Sequence, residues 1–467
     1  MRNYHVGKTK LPQIGLAVLL QVLCLRMVMA DPTDPTEPAR PDPGEPSPPD
    51  ATPEPESVNR VCPADVSKQK KNVKSLYCDD FTDDDLAKLT EFKDLEELDL
   101  GDSTTLTGKG LASLKPLQHL RQIRFGFRSW GKAELADLSG IQELPALRVL
   151  DLGGWSVISK AWGQEFASAT LEELHLTGTL CDSAHAISKL SCPKLKLFSL
   201  RAATIDDPVF LSKLDKLKLL ETLDLSHSII KRPHAFWNVL VGLTNVRNFN
   251  GYGCVLSHDA AANDKLALAT LAKHSRIETI DLNLCKIEAD ALADLAALPK
   301  LKALNVSFAS LEDDSAWDDA LTPILKACKI TDIGVAGLRG FEGRVLNLVS
   351  DSGPSRIHVS FNDGLTEEVA TAIVKRTQLT SLRARRCPAF SDKHLTLLRE
   401  ANDNCIEEIE LGSKTITGAG LAELGMMPTL KRVVLDGRCK FDQTDVDALR
   451  KQLPSAEIEE DYSEDNH

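Results

Sequence analysis

Paired carboxylates are the first chemistry this chain offers. Glu96-Glu97, Glu172-Glu173 and Glu407-Glu408 are the residue types of a general acid and a general base. Eleven histidines and eleven cysteines add ligands and nucleophiles. A Cys–His nucleophile, however, needs a base held against the thiol, and a zinc site needs His or Cys at fixed spacing. The chain has no H-E-x-x-H, no G-x-S-x-G, no paired C-x-x-C and no Gly-rich phosphate loop. No two histidines sit at metal-ligand spacing on a clear helix. The carboxylate pairs themselves recur at one place in a repeating frame, which marks a solvated strand face rather than a catalytic dyad. The chain reads as non-catalytic, with no metal and no cofactor.

That frame is L-x-x-L-x-L. Clear copies begin at Leu95, Leu147, Leu171, Leu220, Ile277 and Ile406, and weaker ones at Leu120, Leu195, Val246, Leu301, Leu379 and Leu430. Successive copies up to Leu301 are 24 to 31 residues apart, a period in which no unit buries its apolar face alone, so units must stack. The alternation of apolar and polar residues in each copy predicts a strand. A turn and a stretch of helical spacing follow, as in Leu106–Leu114, Ile287–Leu298 and Ile416–Leu424. Pro145, Pro299 and Pro428 then end each helix before the next strand.

Over residues 73–453 the chain resembles the leucine-rich repeat family, in its longer β/α form with a true helix after each strand. The resemblance implies an α/β solenoid, a horseshoe with parallel strands on its concave face and helices on its convex face. Many members carry Asn nine places into the repeat. Here that place holds Ser103, Thr179, Ala203, Ser228, Cys254, Cys285, Ala309 and Cys387, as in subtypes that use Cys or small residues. Cys254 and Cys285 should lie side by side, about 5 Å apart, either as a thiol pair or bridge or simply as small buried fillers. Between Leu301 and Leu379 the frame fades. Ile330-x-x-Ile333-x-Val335 and Ile357-x-Val359 each suggest a unit, whereas Gly337–Ser355 fits none and reads as a decayed or protruding loop.

The two ends differ from this body. Residues 1–30 combine a basic start, an apolar run from Leu11 to Leu25 and Val28-Met29-Ala30, the pattern of a secretory signal peptide. An uncleaved anchor or a lipoprotein around Cys24 is the alternative. Residues 31–57 hold ten prolines and eight acids and predict a disordered, extended stalk. Residues 58–94 are expected to form a cap and a first degenerate repeat, 95–453 the repeats, and 454–467 an acidic disordered tail. The formal charge is −13 and concentrates in the stalk and the tail. The nearly balanced body lacks the basic footprint of a nucleic-acid binder. An exported chain can carry disulfides, and Cys62 with Cys78, Cys181 with Cys192 and Cys387 with Cys405 are the candidate pairs.

What remains is surface. Polar residues inside each L-x-x-L-x-L form columns, and one column runs through Asp99, Arg124, Asp151, His175, Asp224 and Asp281. It leans acidic, whereas Arg383, Arg385 and Arg386 cluster near the C-terminal end, so the face could orient a dipolar protein. Phe127, Trp130, Tyr252 and Phe308 fall just past strands, where aromatic anchors reach a rim. The expected function is a secreted, periplasmic or cell-surface module that binds a protein or peptide on its concave face. The alternatives are an inhibitor of a secreted hydrolase or a glycan-binding adhesin. No segment beyond residue 30 is apolar enough to span a bilayer.

Overall fold

Each alternating hexapeptide becomes a short strand whose middle residue is buried and whose neighbours face outward, as in Glu97–Asp99, Thr222–Asp224 and Thr279–Asp281. The computed structural model describes residues 60–461, apart from 102, 104, 126–133, 154–155, 158–164, 177–186, 258–274, 348–352 and 403–404. The signal-peptide, stalk, Phe127, Trp130 and Cys181 expectations lie outside the described residues. Among those described, seventeen strands join one parallel sheet in repeat order, from Arg60–Val61 to Glu457–Asp461. A second five-stranded parallel ladder follows the turns of the central units, from Thr204–Ile205 to Ser310–Leu311. Leucine, isoleucine and phenylalanine from every unit merge into one continuous buried cluster.

The faded middle is regular. Asp332–Gly334 pairs with Ala303–Asn305 on one side and Arg356–His358 on the other, and Ser381–Arg385 follows in register. Gly337–Ser355, expected as a loop outside the frame, carries the turn and the short helix Arg344–Asn347 of one ordinary unit. The next unit opens on Pro354 instead of Leu, which is why its hexapeptide is hard to recognise.

The helix face is less uniform than a helix after every strand would require. Lys109–Leu114 and Ser139–Glu143 are 3-10 turns, and Ile287–Leu298 splits into the α-helix Ala289–Ala293 and the 3-10 turn Asp294–Ala297. True α-helices dominate toward the C-terminus, with Glu367–Val374, Gly418–Gly425 and Gln443–Gln452 capped by Thr366, Thr417 and Asp442. Neighbouring units also cap one another. Asp392 accepts from the Thr417 N–H at 2.8 Å and its hydroxyl at 2.6 Å, and Asp83 does the same for Thr107, at 3.0 and 2.7 Å.

The ninth position is a hydrogen-bonding rung, not a redox site. Ser103 and Ser228 donate to the Cys78 and Leu200 carbonyls, each at 3.1 Å. Cys254, Cys285 and Cys387 donate their thiols to Leu225, Gly251 and Val359 at 2.9, 2.8 and 2.9 Å. Asn362 fills this place in the Pro354 unit, donating to Val335 at 2.7 Å and Val359 at 3.1 Å and accepting from the Leu338 N–H at 2.9 Å.

The expected disulfides are corrected accordingly. Cys62, Cys78, Cys192, Cys387 and Cys405 are free thiols. Strand pairing sets Val61 opposite Cys78, so Cys62 falls past the strand into solvent while Cys78 is buried. The acidic tail is corrected as well. Glu457–Asp461 does not hang free but forms the last strand of the sheet.

Candidate interaction surface on the strand face

Parallel pairing turns the outward residue after each buried strand centre into a continuous column. Asp99, Arg124, Asp151 and His175 are direct neighbours, and further along Asp281, Asn305, Gly334, His358 and Arg383 follow one another. Much of its acidity serves the turn. Asp99, Asp151, Asp224 and Asp281 accept the N–H two residues ahead at 2.8, 2.9, 3.0 and 2.9 Å. Asn250 and Asn305 do likewise, each at 3.1 Å. A short carboxylate or amide can reach its own backbone this way, and a longer side chain cannot. Burial pushes the Asp99, Asp151 and Asp281 carboxyls above their ordinary range, although the turn N–H opposes it in each and His175 helps oppose it at Asp151.

The arginine cluster is neutralised by carboxylates of the fold, contrary to the expected basic end. Arg383 reaches Glu408 at 2.8 Å and Glu410 at 3.2 Å. Arg385 pairs with Asp461 and lies 3.7 Å from Asp436, which is also 3.6 Å from Arg386. Arg432 completes the network with Glu408, Glu410 and Glu459 at 3.1, 3.1 and 3.0 Å. The last strand supplies Glu459 and Asp461, so assigning it to a tail hid the partners.

The eighth position is where the backbone itself stands out. Ala202, His227, Gly253, Leu284, Phe308, Gly337, Phe361 and Arg386 occupy it in successive units, and every one has φ between 52° and 66°. This left-handed conformation suits glycine and costs about 1–2 kcal/mol for other residues. Phe308 and Phe361 sit there 36% and 37% exposed, with ring centroids 5.5 Å apart. They meet over Gly337, where a Cβ would collide with the Phe308 ring. The Arg386 guanidinium lies 5.1 Å from the Phe361 centroid. Tyr252 packs edge-on against His227 at 5.1 Å, further along the same rim.

Beside this aromatic pair the column is interrupted by Gly334, and the gap opens a cavity of about 390 Å³. Asp281, Asn305, Asp332, Arg356, His358 and Arg383 surround it. Burial, then the charges of Arg383 and Arg385, push the His358 imidazole down to about 4, so it is neutral at physiological pH. His358 and Phe361 escaped the sequence reading because their unit opens on Pro354. Aligning that unit by its Ile357-x-Val359 core would have placed Phe361 in the position of Phe308.

This geometry offers recognition rather than covalent chemistry. Burial raises the Cys254 and Cys387 thiols to about 12, the opposite of an activated nucleophile. Among the described residues no group of His, Cys, Asp and Glu is arranged to hold a metal ion, and no helix is long and apolar enough to cross a membrane.

No family model matches the sequence, and no curated protein matches it. Solved structures give distant likenesses. An internalin (inlF) of Listeria monocytogenes is 14% identical, over 86% of this chain and 89% of that one, with a TM-score of 0.38. A leucine-rich repeat protein of Leptospira interrogans is 18% identical, over 80% and 92%, with a TM-score of 0.45. TLR13 in its complex with ssRNA13 is 13% identical, over 79% and 60%, with a TM-score of 0.48. The assignment of the fold rests on this chain's own features: the L-x-x-L-x-L period, the in-register parallel ladder and the hydrogen-bonded ninth position. The chain is a leucine-rich repeat solenoid.

Proposed function

We propose that this solenoid is a non-catalytic, extracytoplasmic protein-binding module. A protein or peptide partner engages its strand face at the Gly334 cavity and the Phe308–Phe361 rim. The observation that carries the reading is the pair of aromatic rings held in solvent on left-handed backbone. Glycine would serve the turn at lower cost, as it does at Gly253 and Gly337. Strain retained where a smaller residue would relieve it points to use, and exposed aromatics are typical interface anchors. The extracytoplasmic placement rests on the leader-like residues 1–30.

The test replaces Phe308 and Phe361 together by glycine. The double variant keeps its melting temperature within a few degrees, because relieved strain offsets lost ring contacts. It also loses a partner that the wild-type chain captures from the medium or cell surface under matched conditions. A partner retained in full by the double variant would remove the aromatic rim from the reading.

A further inference from the structure

A different part of the sheet carries a second site. The residue that precedes each strand donates its N–H to the carbonyl of its counterpart in the unit before, which builds a column along the sheet's N-terminal edge. In order, the column is Lys74, Glu96, Arg121, Arg148, Glu172, Lys196, Glu221, Arg247, Glu278 and Lys302. Charges alternate along it, and Glu96, Glu172 and Glu278 bridge the cations on either side. Glu96 pairs with Lys74 at 2.8 Å and Arg121 at 3.2 Å. Glu172 pairs with Arg148 at 3.2 Å and Lys196 at 2.7 Å, and Glu278 with Arg247 at 3.3 Å and Lys302 at 2.8 Å.

The alternation fails once between like charges, where Arg121 and Arg148 are adjacent and the Arg148 N–H donates to the Arg121 carbonyl at 2.7 Å. A cavity of about 270 Å³ lies at this break, lined by both arginines with His119, Lys194, Thr170 and Glu172. Each guanidinium has five N–H donors, and its ion pair to the outer glutamate engages one nitrogen, NH1. Glu172 is the cavity's single carboxylate and is already shared with Lys196. Each guanidinium keeps its outer glutamate, but no carboxylate stands between the two as Glu96, Glu172 and Glu278 stand between their cations, and guanidinium forks match tetrahedral oxyanions in bidentate fashion.

We propose that the break between Arg121 and Arg148 is a binding site for a tetrahedral oxyanion, a sulfate or phosphate group, free or as an ester on a larger ligand. The group takes the place of the missing carboxylate, accepting from both guanidinium groups and from Lys194. The site is independent of the Phe308–Phe361 rim, so either can fail without the other.

Calorimetric titration of the full chain at constant ionic strength tests it, with inorganic sulfate, inorganic phosphate and a sulfated oligosaccharide as probes. One saturable site is expected. Arg121→Gln and Arg148→Gln should each weaken it about tenfold, the loss of one charge-assisted hydrogen bond. Arg247→Gln, in an intact alternating stretch, should leave it unchanged. Equal affinity for the free ions and the oligosaccharide assigns the site to a free ion, and tighter binding of the oligosaccharide assigns it to an ester on a polymer. No saturable binding with any probe, or an equal loss in Arg247→Gln, overturns the proposal.

Discussion

Units near the N-terminus and units near the C-terminus finish the same repeat differently. From Glu97–Asp99 to Leu197–Ser199 the main strands are three residues long. From Ser381–Arg385 to Glu457–Asp461 they are five. At Asp99 and Asp151 a short carboxylate takes the N–H two residues on and bends the chain away. Arg383 and Glu410 stand at the same place but are too long for that turn, and Arg383 reaches sideways to Glu410 and to Glu408. At this one position the first half is thus closed by contacts within a unit and the second by contacts between units. In a solenoid, where interfaces between neighbours set cooperativity, that difference should make the C-terminal units the more tightly coupled.

The largest predicted effect concerns the ninth position. Asn362→Ala removes three buried hydrogen bonds and takes the side-chain partner from the Val335 carbonyl and the Leu338 N–H, while the Val359 carbonyl keeps the Cys387 thiol, so it should cost about 3 kcal/mol in denaturant unfolding. Ser103→Ala, which disturbs the bonds to the Cys78 carbonyl and the Phe81 N–H at 3.1 and 3.0 Å, should cost about half of that. Equal losses would erase the distinction between the halves at this rung. Next comes Arg432→Ala, which removes the Glu459 ion pair and leaves Arg383 to hold Glu408 and Glu410 without its neighbour. It should destabilise by about 1–2 kcal/mol and lose much of that effect in high salt.

Acid should separate the halves by sign. Burial works against ionisation of Glu408, but Arg383, Ser381 and Arg432 outweigh it and hold the carboxyl below its ordinary range. Its contribution is present above the unfolded value and is lost as pH falls through the lowered one. Asp99 and Asp151 are raised by burial, so they take up protons before their unfolded counterparts do, and their own contribution to stability grows as pH drops toward the ordinary carboxylate range. Amide exchange measured from neutral to acid pH should therefore show protection at 97–151 rising or steady while protection at 381–436 falls. Parallel loss in both would contradict the assignment. The smallest effect is expected at the strand edge, where Arg148→Ala removes an exposed ion pair and should change stability by less than about 1 kcal/mol.

How much of this was legible in the sequence depended on where information sits in a repeat. Buried leucines announce themselves by period, so the parallel ladder and the core could be read directly. Pro354, standing where the frame has Leu, broke the apparent period while leaving the backbone register intact. Partnerships between units were the least legible. Arg385 lies seventy-six residues from Asp461, and only the stacking of strands brings them together. Composition likewise marked Glu457–Asp461 as solvated tail, since one apolar residue among carboxylates gives little sign of a strand. Asp99 and its equivalents looked like a recognition surface, and their short side chains turn out to hold the turns.

The last strand also bears on how large an object this protein can become. A parallel sheet ends on an edge of unpaired N–H and C=O groups, a template on which another molecule could continue the stack. Here that edge is Glu457, Ile458, Glu459, Glu460 and Asp461. A second copy meeting it through the same strand would set carboxylates against carboxylates along the seam. Like charge therefore discourages two molecules from joining through their final rungs.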